Sequence, residues 1–408
     1  MAGPVGLYIS VPFCKAKCTF CNFASGVFGA ERMQQYVDRL CSEIRGSHSR
    51  AQDIAASLPR AVDTIYFGGG TPSLLSAQQF RQIFHNLSGE FDVAADAEIT
   101  LECAPGQLGD ETLQELLRHG MNRISFGVQS FVDRETAAVG RLHTEQQCEA
   151  EFARVRAAGI DEVNVDLIAG LPHQTAQSWQ YSVERAIASG APHISVYLLE
   201  VDDDSRLGRE MLEKGTRYSA SAVPSEDDAA DWYQQAYNWL NAAGVHQYEI
   251  SNFARPGNRS RHNIKYWQRQ PYVGYGLDAH SMLTTGEGAV RFANTSDLDE
   301  YLDDGAGNKP FRVLGEAPNG AATGIDIIGR DEAFEESLFL GLRLNEGVDL
   351  GRLRSQFGDD LLQGAMPALL EVRDAGLLEI NGDCARLTPQ GRLVSNEVFS
   401  RLLISAAA

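Results

Sequence analysis

The sequence predicts an α/β protein: a partial (β/α)6 barrel of the TIM type, followed by a C-terminal helical, winged-helix-like domain. Three observations lead there. Short apolar runs alternate with amphipathic helical stretches from residue 5 to residue 199, the pattern of βαβ units that build a parallel sheet. The strand–helix units number six, short of the eight in a closed barrel. A Gly/Asn/Pro-rich zone, 302–324, then separates this body from a portion that reads helix–helix–hairpin–helix.

Residues 5–11 (VGLYISV) read as the first strand, and 31–45 as a helix with Met33, Tyr36, Val37, Leu40 and Ile44 spaced by three and four. Strand 62–67 runs into Gly68-Gly69-Gly70-Thr71-Pro72-Ser73, and a helix follows over 76–87. Strands at 97–102, 123–128, 162–168 and 193–199 alternate with helices near 110–119, 145–158 and 176–189. Residues 201–230 break the rhythm: they are rich in Asp, Glu and Ser, contain Pro224, and hold a short helical piece at 207–214. That composition reads as a solvated insertion or, more sharply, as a lid. A helix over 229–243 (Trp232, Tyr233, Ala236, Trp239, Leu240) precedes a further strand at 248–251. Beyond the 302–324 zone come helices at 331–344 and 359–375, then a hairpin of 377–380 and 385–387 turning on Asn381-Gly382. A helix over 389–403 closes the chain. The domain plan is therefore 1–230 barrel, 231–301 extension, 302–324 linker-like segment and 325–408 C-terminal domain.

A net charge of −20 argues against a nucleic-acid partner, because no broad basic surface is on offer to phosphates. For the winged-helix-like module the same acidity favours packing or covering a substrate over binding DNA. No run of ~18 apolar residues suggests a membrane span. The first residues, Met1-Ala2-Gly3-Pro4, lack the basic and apolar regions of a signal peptide. A cytoplasmic, reducing setting is the expectation.

Three of the seven cysteines, Cys14, Cys18 and Cys21, fall within eight residues as C-x3-C-x2-C. Cys41, Cys103, Cys148 and Cys384 are scattered singly, so no second pair completes a tetrahedral zinc site. Three thiolates on a short loop suit a cubane iron–sulfur cluster with one iron open to an outside ligand. This spacing is that of the radical S-adenosylmethionine (SAM) enzymes. The flanks, Tyr8-Ile9-Ser10-Val11-Pro12-Phe13 before it and Asn22-Phe23 after it, resemble the branch holding oxygen-independent coproporphyrinogen III oxidase (HemN) and heme chaperones. The resemblance implies a radical SAM barrel, a 4Fe–4S cluster on Cys14, Cys18 and Cys21, and SAM chelated to the open iron.

In a parallel α/β barrel ligands bind at the C-terminal ends of strands. Glycines at 68–70 follow such an end and let backbone approach a ligand closely. The resemblance implies that Gly69, Gly70 and Thr71 hold the methionine ammonium of SAM. It further implies that Glu102 pairs with that ammonium or a ribose hydroxyl, and that Arg141 pairs with the carboxylate, a task suited to a planar guanidinium. Gln129 and Asp166 match positions that hold ribose and methionine, with Tyr8 and Phe20 flanking. Taken singly, Glu102 and Asp166 read as helix caps and Arg141 as a surface ion pair; taken with the cysteines, they read as one site.

A second informative stretch is His262-Asn263-Ile264-Lys265-Tyr266-Trp267, followed by Gly274-Tyr275-Gly276-Leu277-Asp278-Ala279-His280-Ser281. Both are similar to the chaperone side of the branch. The expectation is heme as ligand, with His262 on the iron, aromatics against the macrocycle, and His280 as the second candidate. The plain alternative makes His262 a hydrogen-bonded structural residue. HemN-type oxidases carry another cysteine two residues past the triad and a longer N-terminal segment. Here Phe23 stands at that position and 13 residues precede Cys14. The function implied is a heme chaperone that delivers heme to apo-hemoproteins such as respiratory cytochromes, with peripheral membrane contact compatible with such acceptors. The alternatives are the oxidase itself and a SAM-dependent heme-modifying enzyme.

Overall fold

The computed structural model describes residues 3–286, 288–303 and 326–403. Six parallel strands stand side by side in chain order: β1 (Val5–Val11), β2 (Ala61–Gly69), β3 (Asp92–Cys103), β4 (Arg123–Gln129), β5 (Glu162–Ala169) and β6 (His193–Leu198). Alternation within a strand decides its two faces. Val5, Leu7, Ile9 and Val11 of β1 are buried in the main core with Leu40 and Ile44 of the helix Ala30–Arg45. The intervening Tyr8 sits beside Tyr66 of β2, their rings stacked with centroids 6.0 Å apart. The crossover helices begin where the sequence offers reciprocal caps. Ser76 with Gln79, Thr144 with Gln147, and Thr175 with Ser178 start Ala77–Glu90, Glu145–Ala157 and Ala176–Ala188.

The barrel is open, and the extension occupies both of its edges. Strand β7 (Tyr272–Tyr275) lies parallel to β1, with Gly6 opposite Tyr272. The sheet then continues antiparallel through β8 (His280–Thr285), β9 (Ala289–Ala293) and β10 (Asp326–Ile328). On the other edge a hairpin of His246–Gln247 and Asn252–Ala254 pairs antiparallel with β6. The strand expected at 248–251 is instead the connection of that hairpin. Glu249, fully buried there, accepts the Ser251 backbone N–H at 3.0 Å, so its carboxylate replaces a ladder partner.

The C-terminal domain packs Arg330–Leu342, Leu350–Phe357 and Asp359–Asp374 around a second core that includes Phe334, Leu338, Leu353 and Leu369 and is shared with Met282 of β8 and Ala289 of β9. A three-stranded sheet places Cys384–Leu387 between Val348–Asp349 and Leu378–Asn381. The hairpin turns on Gly382-Asp383, one residue later than expected, with Gly382 taking φ +61°. The helix 350–357 has no counterpart among the expected elements, and the closing helix is two pieces, Pro389–Leu393 and Ser395–Arg401. The expected linker, 302–324, falls almost wholly outside the described residues.

Candidate cluster and cofactor site

The cysteine loop connects β1 to its helix and is held by backbone bonds at several points. Cys14 N donates to Gly26 O at 2.9 Å, Gly26 N to Pro12 O at 2.9 Å, and Thr19 N to Val139 O at 3.2 Å. Cys14, Cys18 and Cys21 are unpaired, part-exposed thiols that line one cavity of about 770 Å³ at the C-terminal ends of the strands. The acidic segment after β6 clasps this loop. Leu207 N reaches Thr19 O at 2.9 Å, Arg206 reaches Lys17 O at 3.1 Å, and Asn22 Nδ2 reaches Asp202 at 3.3 Å. Glu200, Val201 and Asp202 also line the cavity, so this stretch is part of its wall.

The glycine run works by close approach. A Cβ at Gly70 would lie 2.7 Å from Phe13 O and 2.9 Å from Val11 O, and Gly69 has φ +102°. That contact seats the end of β2 against the start of the cysteine loop, with Thr71 Oγ1 3.9 Å from Cys14 Sγ. Glu102, at the end of β3, accepts the Tyr66 hydroxyl at 2.9 Å and Gly69 N–H at 3.1 Å. Burial pushes its carboxyl up to about 7, opposed by those two bonds. Asp166 accepts from Ser125 at 3.1 Å and Asn164 at 2.7 Å, and burial raises it as well. Two carboxyl groups with raised affinity for protons thus share the cavity with the Arg141 guanidinium.

Arg141 Nε and Gln129 Oε1 are buried without a hydrogen-bond partner. Buried polar atoms are nearly always paired, so such orphans at a cavity wall point to a ligand. A Cβ at Gly127 would come within 3.0 Å of both side chains, so glycine is what leaves them room. Gln129 itself takes φ +69°, an unusual conformation for a residue with a side chain. Phe20 lines the same cavity, packing on Val139, Ile168 and Leu171.

Tyr8 does not line this cavity. It lines an adjoining one of about 290 Å³, with Tyr266, Tyr272, Asp278 and His280; Phe23, Ser25, Gly69 and Gly70 are shared between the two. His262 lines neither. It is 1% exposed, its Nδ1 bonded to Thr64 Oγ1 at 2.9 Å and its Nε2 to the Tyr266 hydroxyl at 2.8 Å. Burial and the Lys265 ammonium lower it to about 3, so it stays neutral. In this arrangement His262 has no nitrogen to offer a metal, and the plain structural alternative describes it.

Sequence reasoning missed the contribution of the C-terminal domain. Arg343 and Arg392, with Leu393, Ser395 and Asn396, line the far side of the main cavity. The break between the two closing helices falls between these residues. The one local signal was Leu387-Thr388-x-x-Gly391: Thr388 Oγ1 caps Gly391 N–H at 3.0 Å and starts the helix bearing Arg392.

Residues 8–186 match the radical SAM superfamily and residues 328–394 the HemN C-terminal domain. The chain is 32% identical to a Bacillus subtilis (strain 168) protein named heme chaperone HemW, over 97% of this chain and 98% of that one. It belongs to the HemW family. A Lactococcus lactis protein of the same name is 30% identical over 98% of both chains. The solved structure of Escherichia coli coproporphyrinogen III oxidase, HemN, superposes with a TM-score of 0.81 at 24% identity, over 98% of this chain and 90% of that one. HemN and this HemW-family chain therefore share a fold. Membership of the radical SAM superfamily implies a 4Fe–4S cluster and SAM. The residues present fit both: three free thiols on one loop, and beside them a glycine cradle and two orphaned polar atoms.

Proposed function

We propose that this HemW-family chain is a heme chaperone, which holds heme and passes it to apo-hemoproteins such as respiratory cytochromes. The observation that carries the reading is Phe23, where the oxidases it resembles carry a cysteine. Phe23 is 60% exposed and lines both cavities, an apolar surface suited to a flat macrocycle rather than to a metal. The relatives named heme chaperone HemW, alike over the whole chain, support it.

In this reading Cys14, Cys18 and Cys21 ligate the cluster. The backbone of Gly69 and Gly70, Thr71 and the Glu102 carboxyl receive the SAM ammonium. Arg141 takes its carboxylate through a guanidinium already lacking a partner at Nε. Gln129 and Asp166 hold ribose and methionine, Phe20 flanks them, and Tyr8 backs the glycines from the adjoining cavity. When bound, the reduced cluster supplies one-electron chemistry to SAM. The protein's part is ligation, orientation and, through the wall formed by 200–202 and the C-terminal domain, exclusion of water. No helix among the described residues is long and apolar enough to cross a membrane. Work in the cytoplasm, with peripheral contact where an acceptor is membrane-bound, completes the proposal.

The test is anaerobic. Reconstituted protein is given coproporphyrinogen III, SAM and a low-potential reductant, and in parallel heme and an apo-cytochrome. Heme transfer with unchanged coproporphyrinogen is the expected result. Formation of the divinyl product would make the chain an oxidase despite Phe23. Consumption of heme without transfer would make it a heme-modifying enzyme.

A further inference from the structure

We propose that His280, and not His262, ligates heme iron, with the macrocycle lying in the smaller cavity between His280 and Phe23, directly beside the cluster loop. The proposal rests on the heme-chaperone reading and deepens it. A histidine ligates iron through a ring nitrogen whose lone pair is free. For His262 to do so, the bonds to Thr64 or Tyr266 must break and a fully packed region must open. His280 is exposed, and among the described residues its side chain has no hydrogen-bond partner. No other histidine lines either of the two cavities.

The rest of that cavity suits a porphyrin. Tyr8, Tyr266 and Tyr272 supply aromatic walls, Tyr266 meeting Tyr272 edge-on with centroids 4.6 Å apart, and Leu277 and Phe23 add apolar surface. At about 290 Å³ it covers only part of a macrocycle. Partial cover is what cargo awaiting transfer needs, because an acceptor must reach the remaining edge.

The two motifs then divide the work. In Gly-x-Gly-x-x-Ala-His-Ser the glycines are there for close packing. A Cβ at Gly276, φ +95°, would come within 2.6 Å of Ser10 O, and one at Gly274 would collide with the His280 carbonyl. The turn is thereby pressed onto β1, and His280, the first residue of β8, is presented at the end of the barrel that carries the cysteines. In His-Asn-x-x-Tyr-Trp the helix Arg261–Trp267 places His262 and Tyr266 one turn apart. His262 Nε2 fixes the Tyr266 hydroxyl, so His262 is a positioning residue for a wall of the heme cavity.

The test is a ferric heme titration of the cluster-loaded protein, followed by the Soret band and by electron paramagnetic resonance. Wild type should show an axial-histidine spectrum. His280→Ala should lose that spectrum and at least about tenfold in affinity, and added imidazole should restore the spectrum in His280→Gly. His262→Gln, checked for cluster content and fold, should keep the spectrum. An unchanged spectrum in His280→Ala, or its loss in a folded His262→Gln, overturns this assignment and leaves the chaperone reading standing. Wild type that binds no heme overturns both.

Discussion

The two ends of the barrel bury polar side chains to opposite effect. At the C-terminal end, Arg141 and Gln129 keep buried atoms unpaired, and Glu102 is burdened by burial. At the N-terminal end, His262 and Lys265 are as deeply buried but satisfied. His262 is bonded through both nitrogens and its backbone N–H meets Glu98 at 2.9 Å. Lys265 Nζ meets Asp63 at 2.8 Å and Pro4 O at 2.9 Å. A satisfied buried polar group holds a fold together; an unsatisfied one on a cavity wall awaits a ligand. Motif strength alone ranks His262 above His280, and hydrogen-bond accounting reverses the order.

Breaking the cluster end should have the largest effect. Cys18→Ser should abolish the cluster's visible absorbance and with it SAM binding, while far-ultraviolet circular dichroism stays unchanged; retained SAM binding would remove the site from this loop. Arg141→Ala should weaken SAM binding by about 1.5–3 kcal/mol, the worth of a hydrogen bond to a charged group, or roughly 10–100-fold by calorimetry. The opposite end should answer in stability. His262→Ala strands Thr64 and Tyr266 and should cost about 2–3 kcal/mol in denaturant unfolding, with cluster content and SAM affinity retained. Loss of the cluster in that variant would erase the contrast between the two ends.

Glu102 provides a finer probe. Its folded value of about 7 lies above the ordinary 4.5, so the folded chain holds a proton that the unfolded chain has released. The corresponding stability is fully present below pH 4.5 and is lost as pH rises through about 7. Glu102→Gln should flatten that slope in SAM-free protein, and an identical slope would assign it to another group. The smallest effect expected is at the clasp. Asn22→Ala removes one exposed bond to Asp202 and should cost about 0.5 kcal/mol, read as faster amide exchange confined to the cysteine loop.

The barrel strands were legible because each carries a short apolar run set between helical stretches, a pattern written locally. The clasp of 201–212 on the cysteine loop was not, since Asp202 and Asn22 are 180 residues apart. A polar stretch looks solvated until its partners are known. The same holds for 248–251, where a buried Glu249 bonding its own turn has the composition of a strand.

By itself the sequence determined the six strand–helix units, the cysteine triad, the glycine run and the family. All of these rest on neighbours in the chain or on strand ends whose position the topology dictates. Only the tertiary structure decided which of the two histidines is free, that the extension fills both edges of one sheet, and that Arg343 and Arg392 line the cavity. Those facts depend on which polar atoms find partners across hundreds of residues. Whether a buried nitrogen is satisfied is a property of the folded neighbourhood and not of its motif.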